Sequence, residues 1–137
     1  MADDVVVNKV ATIERCVLRV REEYAGDERN LLHNHTKQDS IILNLQRACE
    51  AAIDLAMYLV SARRLGVPQE SREAFALLQT AGILDADLTL RMQRMVGFRN
   101  IAVHDYTQLN LAIVKAIVTE RLEDFLVYAR RILQTAS

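Results

Sequence analysis

The chain has 137 residues, of which 51% are hydrophobic and 26% charged, and its formal net charge is −1. That length suits one domain, residues 1–137, with a single buried core, and that composition excludes a disordered chain. A near-neutral charge argues against a long nucleic-acid footprint, yet it leaves room for a compact site that grips one or two phosphates.

One proline and four glycines are too little punctuation for many short strands, so a few long helices are expected. The leading MADDVVVNKV has acids where a secretory leader needs bases, and its apolar run is short. No stretch approaches the ~18 apolar residues of a membrane span. A soluble, cytoplasmic protein with no membrane association is the expectation.

The first helix reads from about Asp4 to Tyr24, because Val6, Val10, Ile13, Val17, Val20 and Tyr24 repeat on one helical face. Gly26 ends it, and residues 26–38 read as a polar connection. A second helix is predicted from Asp39, as its cap, to about Leu65. Its two apolar stripes, one through Ile41, Leu45 and Leu55 and one through Ile42, Cys49 and Ile53, leave a narrow polar strip, which makes it the central helix. Gly66 and Pro68 stop it. Ser71 is expected to cap a short third helix with Phe75, Leu77 and Leu78 inward and Gly82 at its end. A fourth begins near Asp85 or Asp87 and carries Leu88, Met92, Met95 and Val96. Asn110 is expected to cap the last helix, with Leu111, Val114, Val118, Leu122, Phe125, Ala129 and Ile132 on one face. The architecture expected is all-α, a bundle of four long helices plus one short.

Cys16 and Cys49 sit inside apolar helical patterns and read as small buried thiols. His33 and His35 lie two apart in the polar connection without a third clear ligand, so solvated imidazoles are a better reading than a metal site.

The chemistry concentrates in Gly97-Phe98-Arg99-Asn100-Ile101-Ala102-Val103-His104-Asp105-Tyr106. On a continuing helix Asn100 and His104 share one face, Arg99 and Tyr106 return to another, and the two rows adjoin at about 100°. Gly97, one turn upstream, costs about 1 kcal/mol against alanine in a helix and signals close packing or a bend. Histidine exchanges protons near neutral pH, arginine holds phosphate and stabilises charge building in a transition state, and asparagine orients either. Such a set suits attack of a ribose 2′-hydroxyl on its own phosphodiester, which needs no metal or cofactor. One histidine supplies one proton-transfer group, so a two-fold dimer is expected to supply acid and base together. A hydrogen-bonded helix end is the plainer alternative for the same spacing.

Arg99-Asn100-Ile101-Ala102-Val103-His104-Asp105-Tyr106 resembles the R-x-x-x-x-H-x-Y signature of the HepT toxins, a branch of the HEPN superfamily. Residues 38–56 (QDSIILNLQRACEAAIDLA), 66–78 (GVPQESREAFALL) and 94–100 (RMVGFRN) extend the likeness, which covers about residues 4–133. The resemblance implies a HEPN-type bundle and a metal-independent RNase toxin of a type II toxin–antitoxin pair, acting as a homodimer on RNA and needing no DNA. It implies catalysis by Arg99 and His104, with Asn100 as the polar residue following the arginine. It also implies an MNT-family nucleotidyltransferase antitoxin that transfers AMP onto Tyr106, where added phosphate would repel RNA. The alternative is a non-catalytic substrate-binding subunit of a two-component nucleotidyltransferase, with Tyr106 a wall of its groove.

Overall fold

A computed structural model describes residues 3–136; Met1, Ala2 and Ser137 of the expected domain lie outside the described residues. Its helices are α1 (Asp4–Tyr24), α2 (Arg29–Leu32), α3 (His35–Ala62), α4 (Ser71–Thr80), α5 (Ala86–His104), α6 (Leu111–Ala116) and α7 (Leu122–Ala136). A π-helical turn, Ile117–Arg121, fuses α6 and α7 into one rod. Four long spans and the short α4 are therefore present as expected, with α2 a single turn that periodicity did not reveal. None of the described helices is long and apolar enough to cross a membrane.

α3 is the axis, with α1 packed along it and α4, α5 and α7 against its other sides. Both stripes read from the sequence are buried, from Ile41 and Ile42 to Leu59 and Val60, together with Ala51. The many alanines let neighbouring backbones approach closely. Tyr128 of α7 reaches this axis, donating its hydroxyl to the Ala52 carbonyl at 2.8 Å, and its ring meets Phe75 of α4 edge-on at 5.6 Å. Cys16 and Cys49 are free and buried.

Several expected boundaries move, each for a local reason. α3 begins at His35 rather than Asp39, because the Asn34 side chain accepts the Lys37 N–H at 3.0 Å and caps the helix a turn earlier. Gln38 then donates to the Leu31 carbonyl at 2.9 Å and ties this first turn to α2. At its other end α3 stops at Ala62, short of Leu65. The N–H of Leu65 bonds the Val60 carbonyl, that of Arg64 bonds the Ser61 carbonyl, and Arg64 adopts φ +56. That is a Schellman stop with arginine in the place usually taken by glycine. α4 is capped at Glu70 rather than Ser71; Glu73 reaches back to accept the Gln69 N–H at 2.8 Å. Ala74, Phe75 and Leu78 are its buried residues, while Leu77 is only partly covered. Gly82, with φ +78, closes α4 as expected, and Asp85 and Asn110 cap the helices read for them.

Candidate functional site

α5 carries the motif, and it ends at His104 rather than running on to Tyr106. Asp105 leaves the helical region at φ −152, ψ 56, and residues 106–108 form a single 3₁₀ turn before Asn110 starts α6. The expected return of Tyr106 to the angle of Arg99 therefore does not occur. What the helix does bring together is Asn100 and His104, four residues apart and both exposed.

Arg99 takes a different direction. Five residues from His104, or about 140° of helical rotation, its side chain lies half-buried between α5 and α4. One Nη donates to Ser71 Oγ at 3.4 Å. The hydroxyl expected to cap α4 is thus engaged by the guanidinium instead. Arg99 Nε is buried with no hydrogen-bond partner, and no carboxylate among the described residues pairs with this side chain. Arg99 also lies near enough to Cys49 to oppose the rise in thiol pKa that burial imposes. A half-buried guanidinium without a counter-ion is poised for an anion, and a phosphate supplies the acceptor oxygens that its fork requires.

Tyr106 sits on the 3₁₀ turn and faces α3. Its hydroxyl donates to Asp39 Oδ1 at 2.7 Å. Burial of the ring, and then the Asp39 carboxylate, push the phenol up to about 12. The other three tyrosines are placed differently: Tyr24 and Tyr128 are buried, and the half-buried Tyr58 donates to Asp3. Tyr106 is the exposed tyrosine, adjacent in sequence to the helix end that carries His104.

Sequence reasoning missed Arg72. From α4 this residue reaches across α5, donating Nε–H to the Gln93 carbonyl at 3.3 Å while Gln93 returns a bond to the Arg72 carbonyl at 3.0 Å. The room it occupies is that left by Gly97, where a Cβ would stand 2.9 Å from Arg72 Nη2. Gly97 therefore marks close packing and not a bend, and it brings a second guanidinium onto the face that carries Asn100 and His104. A groove of about 640 Å³ runs between α5 and the last rod, lined by Phe98, Ile101, Ile113 and Ile117 and rimmed by Arg72 and Arg94; Arg99, Asn100, His104 and Tyr106 do not line it. His33 and His35 join no cluster, and among the described residues no group of three His, Cys, Asp or Glu is placed to hold a metal ion.

This sequence matches the family described as Ribonuclease HepT-like over residues 13–132, most of its length. The chain belongs to the HepT-like ribonuclease family. A HepT-like relative from Shewanella oneidensis, an mRNA nuclease, is 48% identical over 123 residues, which cover 90% of this chain and 92% of that protein. Among solved structures, the tri-AMPylated HEPN toxin of Shewanella oneidensis in complex with MNT antitoxin is 46% identical, covers 95% of this chain and 97% of its own, and superposes with a TM-score of 0.89. A second toxin–antitoxin structure, determined with AMP-PNP, is 45% identical with a TM-score of 0.90 and covers 95% and 98% of the two chains. The HEPN-type helical bundle expected from the motif is the fold of this HepT-like chain.

Proposed function

We propose that this chain is an endoribonuclease toxin that cuts RNA without a metal, with Arg99 and His104 as its catalytic pair and an MNT-type nucleotidyltransferase as its antitoxin. The observation that carries the assignment is Arg99: a half-buried guanidinium with no carboxylate partner among the described residues and an unpartnered Nε, on the same helix as an exposed histidine. In a chain at 48% identity to an mRNA nuclease, that guanidinium fits the phosphodiester of messenger RNA.

The chemistry follows from the side chains. His104 takes the proton of the ribose 2′-hydroxyl as O2′ attacks the adjacent phosphorus. Arg99 stabilises the charge that accumulates on the phosphoryl oxygens. Asn100, one residue on from Arg99 and one turn before His104, orients the RNA or the imidazole. The departing 5′-oxygen needs a proton from a second group, and His104 of a second copy supplies it if two chains meet along the α5 face. The reading is therefore of a homodimer working in the cytoplasm, where its RNA is, with no need for DNA. Tyr106, the exposed tyrosine at the end of the same helix, is the acceptor for AMP. Each added phosphate places negative charge at the end of the helix that carries His104, where it repels the RNA backbone.

Growth and total RNA after induced expression test the assignment. Wild type should arrest growth and leave RNA ends carrying 2′,3′-cyclic phosphate. Arg99→Ala and His104→Ala should lower cleavage at least about a hundredfold, the range for loss of a general base or a charge-stabilising donor, while remaining folded. Full toxicity in either variant would remove that residue from the catalytic pair. Healthy growth with soluble wild-type protein would instead favour a non-catalytic nucleotidyltransferase subunit.

A further inference from the structure

The Asp39 carboxylate has one visible task. α3 is capped by Asn34, so Asp39 is not needed to satisfy the helix end. No lysine, arginine or histidine among the described residues forms an ion pair with it, although it is exposed on the first turns of α3. Its recorded contact is the 2.7 Å hydrogen bond from the Tyr106 hydroxyl, across 67 residues of sequence. The chain contains a second tyrosine–aspartate pair that shows what a structural version looks like. Tyr58 donates to Asp3, but Asp3 also accepts the Val5 N–H at 2.8 Å as the N-cap of α1. Asp3 serves a helix end as well as a tyrosine; Asp39 serves Tyr106 and no helix end.

A phenol that accepts AMP must lose its proton as its oxygen bonds to phosphorus. Tyr106 will not have lost it beforehand, because burial and the neighbouring carboxylate both hold the phenol protonated well above neutral pH. An ionised carboxylate accepts hydrogen bonds only, so Asp39 fixes the O–H vector towards itself and leaves the oxygen lone pairs turned away from α3. That is the arrangement a nucleophile with an adjacent general base requires.

We propose that Asp39 is the general base for adenylylation of Tyr106, so that the toxin chain supplies part of the chemistry of its own silencing. The inference rests on the reading of Tyr106 as the AMP acceptor. In the step, Tyr106 Oη bonds to the α-phosphorus of ATP held by the partner nucleotidyltransferase. The bond from that phosphorus to the α–β bridging oxygen breaks, pyrophosphate departs, and the phenolic proton passes to Asp39 Oδ1. Asp39 touches the reacting hydroxyl and is in that sense a catalytic residue.

The test uses the full chain with its nucleotidyltransferase partner, ATP and magnesium, and follows the first addition of AMP to Tyr106 by intact mass and peptide mapping. Asp39→Asn keeps the size and the hydrogen-bonding capacity of the side chain but not its basicity. It should lower kcat for the first addition by about a hundredfold, with KM for ATP unchanged. Asp39→Ala should be equally slow and should recover rate as formate, a small diffusible carboxylate, is added; a merely structural carboxylate would not be replaced in this way. Circular dichroism should show both variants folded with melting temperatures close to wild type, since Asp39 is exposed, caps nothing and loses one exposed hydrogen bond. Labelling of Asp39→Asn at the wild-type rate would overturn the base assignment and leave Tyr106 as acceptor. So would a slow Asp39→Ala that formate does not rescue. Wild-type protein carrying AMP elsewhere, or none, would overturn the reading of Tyr106 itself and the base assignment with it.

Discussion

At the scale of single residues, the Tyr106 phenol is held by two effects of the same sign. Partial burial disfavours the phenolate, and the hydrogen bond to Asp39 is lost when the donor proton leaves. The folded value lies near 12 against about 10 in an unfolded chain, so the folded state binds this proton more tightly. The stabilisation is therefore complete below about pH 10 and disappears as pH rises through about 12. With 44% of the residue exposed, solvent screening keeps its magnitude small. Titration of ¹³C-tyrosine resonances, with Tyr106 assigned by Tyr106→Phe, should place its midpoint near 12, and Asp39→Asn should bring it part-way towards 10. An unmoved midpoint in Asp39→Asn would mean that burial alone is responsible. The motif residues were legible because they fall within eight consecutive positions. Their partners were not. Ser71 stands 28 residues from Arg99 and Asp39 stands 67 from Tyr106, and both had been read as helix caps. A serine or aspartate near a predicted helix start has two uses, and periodicity does not distinguish them.

At the scale of elements, the segment that carries Tyr106 is short and pinned at both ends. Asp105 N–H still bonds the Ile101 carbonyl at 2.8 Å, closing α5, and Asn110 accepts the Ala112 N–H at 2.8 Å, opening α6. Asn110→Ala should cost about 1 kcal/mol, the usual value of an N-cap, read as a lower urea midpoint with unchanged slope. A shift below a few tenths would show that Leu109 and the following turn hold α6 without the cap. The last helix also shows how spacing encodes geometry. Val114, Val118 and Leu122 are separated by two steps of four, and each such step carries an α-helical stripe about 40° past its neighbour. The wider π-helical turn at Ile117–Arg121 takes back that excess, so all three remain buried. The stripe itself was readable, whereas the π turn was implied only by two consecutive fours. The start of α3 was missed for another reason: His35 to Gln38 are polar, and their helicity comes from the Asn34 cap and the tie to α2, not from a buried face.

At the scale of the whole molecule, the bundle uses its core to aim two sets of side chains in different directions from one helix. Met92, Met95 and Val96 seat α5 against the core. That seating turns Arg99 towards α4 and leaves Asn100, Ile101 and His104 facing solvent. The solvent face is not uniformly polar: Ile101 and Ile113 are both exposed large apolar residues, and both line the groove between α5 and the last rod. An RNA-cleaving centre with one histidine needs a second proton-transfer group, and a two-fold contact over this apolar face would supply it while covering the isoleucines. Ile113 offers the cleaner test because it belongs to α6 and lies outside the motif. Ile113→Asp places a charge on the face without disturbing a buried neighbour, so the chain should keep its helicity and melting temperature. Light scattering should then report a monomer where wild type gives a dimer, and RNA cleavage should fall at least about tenfold, with one proton-transfer group withdrawn from each site. A monomeric wild type, or a monomeric Ile113→Asp that cleaves RNA at full rate, would require the second proton to come from within one chain and would overturn the two-fold arrangement.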